Sequence, residues 1–170
     1  TVSAVQGLST PLETAQVRIV AGQTQEIDIE LDPLWDANAA GWYSGDHHLH
    51  IHTAGQYPML PQDLPALVAG EGLDVATPLL ANMANRFEEF EYWNWRKVDT
   101  APLIYFGQEV RPSLGHTGLI GIETLFWPWN FGPSTQVYRT DDLSNADPLM
   151  HARREGGVST YMHPVRFPGD

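Results

Sequence analysis

The chain contains no cysteine, which excludes disulfides, thiolate metal sites and a cysteine nucleophile together. Lys97 is its single lysine, and the net charge is −12 with no extended Lys/Arg run. A surface of that sign attracts neither nucleic acid nor an anionic membrane, so neither is expected as a partner. The Arg153-Arg154 pair reads as the solvated end of a helix. Long apolar runs are missing too, so membrane insertion is not expected. Thr1-Val2-Ser3-Ala4 lacks the basic start and apolar core of a signal peptide, and the chain reads as a mature or excised segment. What remains, 42% hydrophobic and 18% charged residues over 170 positions, is enough for one well-buried core.

Histidine is concentrated instead. Four of the seven histidines fall within six positions, in Trp42-Tyr43-Ser44-Gly45-Asp46-His47-His48-Leu49-His50-Ile51-His52-Thr53. On a strand, alternation sends Asp46, His48, His50 and His52 to one face and His47, Leu49 and Ile51 to the other. Residues two apart are separated by roughly 6.5 to 7 Å, and two imidazoles leaning together from that spacing can meet one ion at about 2.1 Å. A single histidine is ordinarily a hydrogen-bonded core or surface residue, but an internal cluster interrupted by Leu and Ile favours metal binding by two or more of its members.

The rest of the chain supplies context in order. Residues 1–14 read as an irregular lead-in. Val17–Val20 and Glu26–Leu31 alternate polar and apolar residues around Ala21-Gly22-Gln23-Thr24, which predicts a β-hairpin. A lone hairpin cannot bury its apolar face, so residues 1–41 are expected to pack on the downstream domain or to close an upstream β-sandwich. That downstream domain, residues 42–170, is the main unit. After the histidine strand, Gln62 to Ala69 has a short helical pattern with Leu64, Leu67 and Val68 on one side, and Leu73 to Thr77 reads as a strand. Strand, helix, strand with short connections predicts a right-handed parallel unit.

Further strands are expected at Pro102–Phe106, running into Gly107-Gln108-Glu109-Val110, at Gly115–Ile122 and at Val158–Met162, with a helix from Asn145 to Glu155 stopped by Gly156-Gly157. The aromatics Phe87, Phe90, Trp93 and Trp95 read as core or docking groups. Trp127-Pro128-Trp129-Asn130-Phe131-Gly132-Pro133 is too interrupted for a regular element, and is either a lid over substrate or a cover over apolar core. Glu109, His116 and His163 each have ordinary readings alone. Together they recur at strand ends or starts in an alternating β/α chain, a placement that gathers side chains around one centre. Three or four N/O ligands with an open position would activate a water, and the donor set suits Zn, Mn or Fe.

At these residues the chain resembles a known family. Trp42-Tyr43-Ser44-Gly45-Asp46-His47-His48-Leu49-His50 is similar to the opening Gly-Asp-Leu-His-x-His motif of the PHP (polymerase and histidinol phosphatase) superfamily of metal-dependent hydrolases, closest to its carbaryl-hydrolase-like branch. Gly107-Gln108-Glu109 resembles its Gly-x-Glu, Gly115-His116 its following Gly-His, and Tyr161-Met162-His163-Pro164 its late strand ending in His-Pro.

The resemblance implies an α/β fold, an incomplete or distorted (β/α)7 barrel truncated at its C-terminus. It implies His48, His50, Glu109, His116 and His163 as metal ligands, with His116 also a candidate acid/base, Asn82 a polar site residue and Arg111 a grip for an anionic group. The family's Asp-His pair is replaced here by Leu80-Ala81, next to Asn82. Two functions are expected to compete. One is a metal-dependent hydrolase acting on a small-molecule ester, carbamate, amide or phosphoester. The other is a degenerate, non-catalytic binding or structural module of a larger secreted or periplasmic protein, its site completed by the remaining barrel or a second subunit. A histidine-rich metal carrier is a third, weaker idea.

Overall fold

In a computed structural model of the chain, residues 1–51, 59–81, 88–133 and 142–163 are described. In chain order they form β1 (Val2–Ala4), β2 (Glu13–Ala15), β3 (Gly45–Leu49), α1 (Leu64–Gly70), β4 (Val75–Ala81), β5 (Arg96–Lys97), β6 (Leu103–Tyr105), β7 (Gly107–Val110), β8 (Thr117–Ile120), α2 (Ala146–Arg154) and β9 (Val158–Tyr161). Short 3-10 turns, Pro61–Asp63 and Glu88–Tyr92, stand before α1 and after β4.

Strand β4 is central. From Ala76 to Ala81 it is buried at every position, as a strand sandwiched on both faces must be, and its Ala-Thr-Pro-Leu-Leu-Ala sequence is accordingly apolar rather than alternating. It runs parallel to β3 on one side and parallel to β6 and β7 on the other. Val75 faces Leu103 and Leu79 faces Gly107, so the register offset is unchanged and β6 with β7 is one strand interrupted at Phe106. Beyond that strand every pairing is antiparallel: β5 on β6, β8 on β7, and β9 on β8.

Even-numbered positions of this strand pair face the helices. Leu64 and Val68 of α1 pack on Ala76, Leu80, Ile104 and Phe106, and Ala152 of α2 on Val110 and Leu119. Burying a Leu or Val side chain contributes roughly 1.5 to 3 kcal/mol, so the short α1 is held by Leu64 and Val68 rather than by its own length. Helix α2 is better marked: Asp147 Oδ2 accepts from Ser144 N at 2.7 Å at its start, and Gly156, at φ +77, ends it.

Several expectations are corrected by this architecture. The (β/α)7 barrel is absent: the described residues contain two short α-helices and an open sheet, with no closure. The reason lies after Val110, where Val110 pairs with Thr117. That connection is far shorter than the dozen or more residues a parallel crossover requires, so the chain turns back and adds β8 antiparallel. The hairpin at Val17–Leu31 is likewise absent. Its turn forms, with Gln23 N donating to Val20 O at 3.2 Å, but Ile19 is 92% and Ile27 40% exposed. With nothing to cover the apolar positions, no ladder develops. The antiparallel pair of this region is β1 with β2, which begins within the stretch expected to be irregular and ends one residue past it. Leu67 also departs from the expected buried side of α1 and is 49% exposed.

Candidate metal centre

The site lies on the sheet face opposite α1 and α2, at the C-terminal ends of β3, β4 and β7. Strand alternation decides the placement. Leu49 and Ile51 join the helix-side core, which sends His48 and His50 to the other face. The register of β3 on β4 shifts between Asp46 and Leu49, a β-bulge that re-aims the strand. Asp46 Oδ1 accepts from His48 N at 2.8 Å and stabilises that local bend. His47 is exposed. His52 and Asn82 lie outside the described residues, so neither is placed.

Glu109 of β7 is the hub. It is 2% exposed, and four imidazoles approach its carboxylate. His116 Nδ1 donates to Oε1 at 2.7 Å, His50 Nε2 stands 3.2 Å from Oε2, and His163 Nε2 and His48 Nε2 are 3.7 and 4.0 Å from Oε1. Antiparallel pairing makes this possible. β8 returns beside β7 and β9 beside β8, and Met162 N donates to His116 O at 3.0 Å, so His116 and His163 arrive side by side. Their ring centroids are 5.2 Å apart, and His48 and His163 are 4.9 Å apart. Gly115, at φ +112, allows the sharp turn that aims His116.

The electrostatics follow from the geometry. Burial pushes the Glu109 carboxyl up, but hydrogen bonds from His116 and His50 and the nearby charge of Arg111 outweigh it and hold the group well below the usual carboxylate range. Burial pushes His50 down, yet its bonds to Glu109 and to the Leu79 carbonyl, 2.9 Å from Nδ1, leave it raised. Desolvation lowers His48 despite the attraction of Glu109. A proton on His50 Nδ1 directed at Leu79 O fixes the tautomer that presents Nε2 to the centre, the arrangement common among metal-ligating histidines.

The donor set fits a cation. One ligand atom each from His48, Glu109 and His163 lie within 4.8 Å of one another. Donors about 2.1 Å from one ion are at most about 4.2 Å apart, so shifts of well under an ångström would bring all three onto it. This buried His/Glu group could therefore hold a metal ion, with His50 and His116 on the same carboxylate.

The other expected residues divide. Leu80 is 1% exposed on the core side and Ala81 carries only a methyl, so the pair that replaces Asp-His supplies no ligand. Arg111 is half-buried and acts on Glu109 through its charge. Trp129 is 4% exposed within the core and donates its indole N–H to the Glu109 carbonyl, so that part of the Trp-Pro-Trp loop covers core. Gln108, wholly buried beside Glu109, holds the same loop by accepting from Phe126 N at 2.8 Å and donating to Phe126 O at 2.9 Å.

Sequence reasoning alone passes over Glu89. It is 5% exposed and accepts from Ala81 N at 3.0 Å; its acidic neighbours Glu88 and Glu91 make it read as part of a solvated run. The described cavities lie elsewhere, one of about 420 Å³ between Trp95, Tyr105 and Ile122, and an open cleft at the N-terminal ends of β3 and β4. Among the described residues no helix is long and apolar enough to cross a membrane. Compared with family models, curated proteins and solved structures, the chain has no match.

Proposed function

We propose that this chain is a metal-dependent hydrolase domain, related in its ligand motifs to the PHP superfamily, that acts on an ester, carbamate, amide or phosphoester. One observation carries the reading: four imidazoles from three strand ends converge on one buried carboxylate. His48, Glu109 and His163, with His50 adjoining, would hold a divalent ion of the Zn, Mn or Fe class, which would supply Lewis acidity and activate a water for hydrolysis. Glu109 contributes the fixed negative charge. His50 is oriented by its bond to Leu79 O, and its Nε2, which donates to Glu109 in the metal-free protein, would offer a lone pair to the ion once that proton is lost. His116 directs Nδ1 at Glu109, so its Nε2 is the atom that takes up or releases a proton at the substrate. Arg111, whose charge acts on Glu109, is the residue assigned to grip an anionic group of the substrate.

Leu80 and Ala81 favour the second reading, a non-catalytic binding module, because no Asp-His pair completes the centre. Metal content after mild purification, followed by assays on ester, carbamate, amide and phosphoester substrates, separates the two. Stoichiometric metal with turnover abolished by His50→Ala is the expected result. Tight metal without turnover on any substrate class would replace the hydrolase with the binding module, and metal-free protein that takes up none of the three ions would sink both.

A further inference from the structure

Past the end of β4, a single segment holds the hub strand. Strand β4 stops at Ala81, in register with Glu109, and beyond it Trp129 O accepts from Arg111 N and Phe131 O from Ser113 N, both at 2.9 Å. Residues two apart on an extended strand point their backbone groups to one side, so the same neighbour also reaches Glu109. The Trp129 indole Nε1 donates to the Glu109 carbonyl at 2.5 Å. Gln108 fastens the start of the segment through both backbone groups of Phe126. The indole is itself fixed. Its ring is 4% exposed in the cluster of Leu80, Ile104 and Phe106, and Trp127 packs edge-on against it with centroids 5.4 Å apart. A core position asks only for an apolar ring, which phenylalanine also supplies; tryptophan adds a rigid N–H at the edge of that ring. Here the N–H is directed at the one residue whose carboxylate gathers four imidazoles.

We propose that Trp129 is a positioning residue of the metal centre: fixed in the core and carried by the Phe126–Phe131 segment, its indole N–H holds the backbone of Glu109 so that the carboxylate meets the imidazoles at the spacing an ion needs. This role rests on the metal centre proposed for His48, Glu109 and His163. Such constellations work only when held within about 0.5 Å of the productive geometry, and groups that orient metal ligands change affinity by roughly 10 to 100-fold when removed.

Two variants separate positioning from stability. Trp129→Phe keeps an apolar ring and removes the donor, whereas Leu64→Ala weakens the same core cluster from α1. Zn²⁺ affinity is measured by chelator competition on the folded full chain, urea unfolding follows stability, and the visible absorption bands of bound Co²⁺ report ligand geometry. Both variants should unfold earlier than wild type. Trp129→Phe should bind Zn²⁺ about 10 to 100-fold more weakly and change the Co²⁺ bands, while Leu64→Ala binds within a few-fold and keeps the wild-type bands. Wild-type affinity and bands in Trp129→Phe, or an equal loss in Leu64→Ala, would overturn the role while leaving the metal centre standing. If Trp129→Phe does not fold, Gln108→Met, which frees the segment at Phe126, decides: a loss of about 10-fold or more upholds the role, and wild-type affinity overturns it. Wild-type protein that binds no Zn²⁺, Mn²⁺ or Fe²⁺ would overturn the metal reading itself, and this role with it.

Discussion

Replacing Glu109 by Gln keeps the shape of the hub and removes its charge, so its effects can be worked out from two hydrogen bonds. His116 approaches one carboxylate oxygen at 2.7 Å and His50 the other at 3.2 Å. Each charge-assisted bond contributes about 1.5 to 3 kcal/mol. The carboxamide oxygen retains one acceptor, while its NH2 faces an imidazole that was donating. The metal-free variant should lose about one such bond, roughly 2 kcal/mol, which for a chain of this length lowers the melting temperature by about 4 to 8 °C. Metal adds a second signature. Zn²⁺ at 100 times its dissociation constant stabilises the wild type by about 2.7 kcal/mol, and a variant without the anionic ligand should gain little. The pH dependence has a definite sign. Because the Glu109 carboxyl titrates below its ordinary value of 4.5, its contribution is complete above that pH and is lost as pH falls through the depressed value. The gap between wild type and Glu109→Gln in metal-free buffer should therefore narrow in acid, and narrow again as pH rises through the raised His50 value, where the charge on the imidazole side of the bond is lost. Differential scanning calorimetry with and without Zn²⁺ measures both parts. A variant that melts with the wild type in chelator, or that keeps the full metal-induced gain, would refute the hub.

His116→Asn should leave Zn²⁺ binding within a few-fold, since the ligand atoms of His48, Glu109 and His163 lie within 4.8 Å of one another without it, while turnover falls by about 10² to 10⁴ for loss of an acid/base; parallel chelator titration and rate measurements check it, and lost metal would make His116 a ligand instead. A Cβ at Gly107 would meet the Leu119 carbonyl at 2.7 Å and Leu79 Cδ2 at 2.9 Å, so Gly107→Ala should lose about 1 to 3 kcal/mol. Gly70, with nothing within 4 Å, serves as control, and urea unfolding of Gly70→Ala should show no loss. Asp74 accepts from Asn38 Nδ2 at 2.7 Å and from Ser44 N at 2.8 Å, and the Asn38 bond leads in lowering its carboxyl below 3.8. Asp74→Asn should be less stable than wild type by a constant margin above about pH 4, a margin that shrinks as pH falls through the lowered value; a margin that grew in acid would contradict the linkage.

Local signals are legible where local forces act. The α2 segment carries its own start at Ser144 and Asp147 and its own stop at Gly156, and it forms from Ala146 to Arg154. The β3 alternation holds from His48 to Ile51 because Leu49 and Ile51 have a core to enter. The Val17–Leu31 pattern is as regular and forms no strand, because alternation predicts a strand only where something lies against the apolar face. Glu89 escapes notice for the same reason in reverse. Its burial depends on a turn folding back onto Ala81, which no neighbouring residue announces.

The sequence by itself determined the chemistry available: no thiolates, an excess of acidic residues, and imidazole and carboxylate side chains at His48, His50, Glu109, His116 and His163 near strand ends. Composition and period 2 are properties of the chain alone. Tertiary structure decided how those ligands meet. Two parallel pairings on β4 bring His48 and His50 to Glu109, and the antiparallel return of β8 and β9, rather than barrel closure, brings His116 and His163 to the same oxygen. The direction in which a strand pairs depends on the length of its connection and on what its partners can cover, and the short link after Val110 made the sheet turn back.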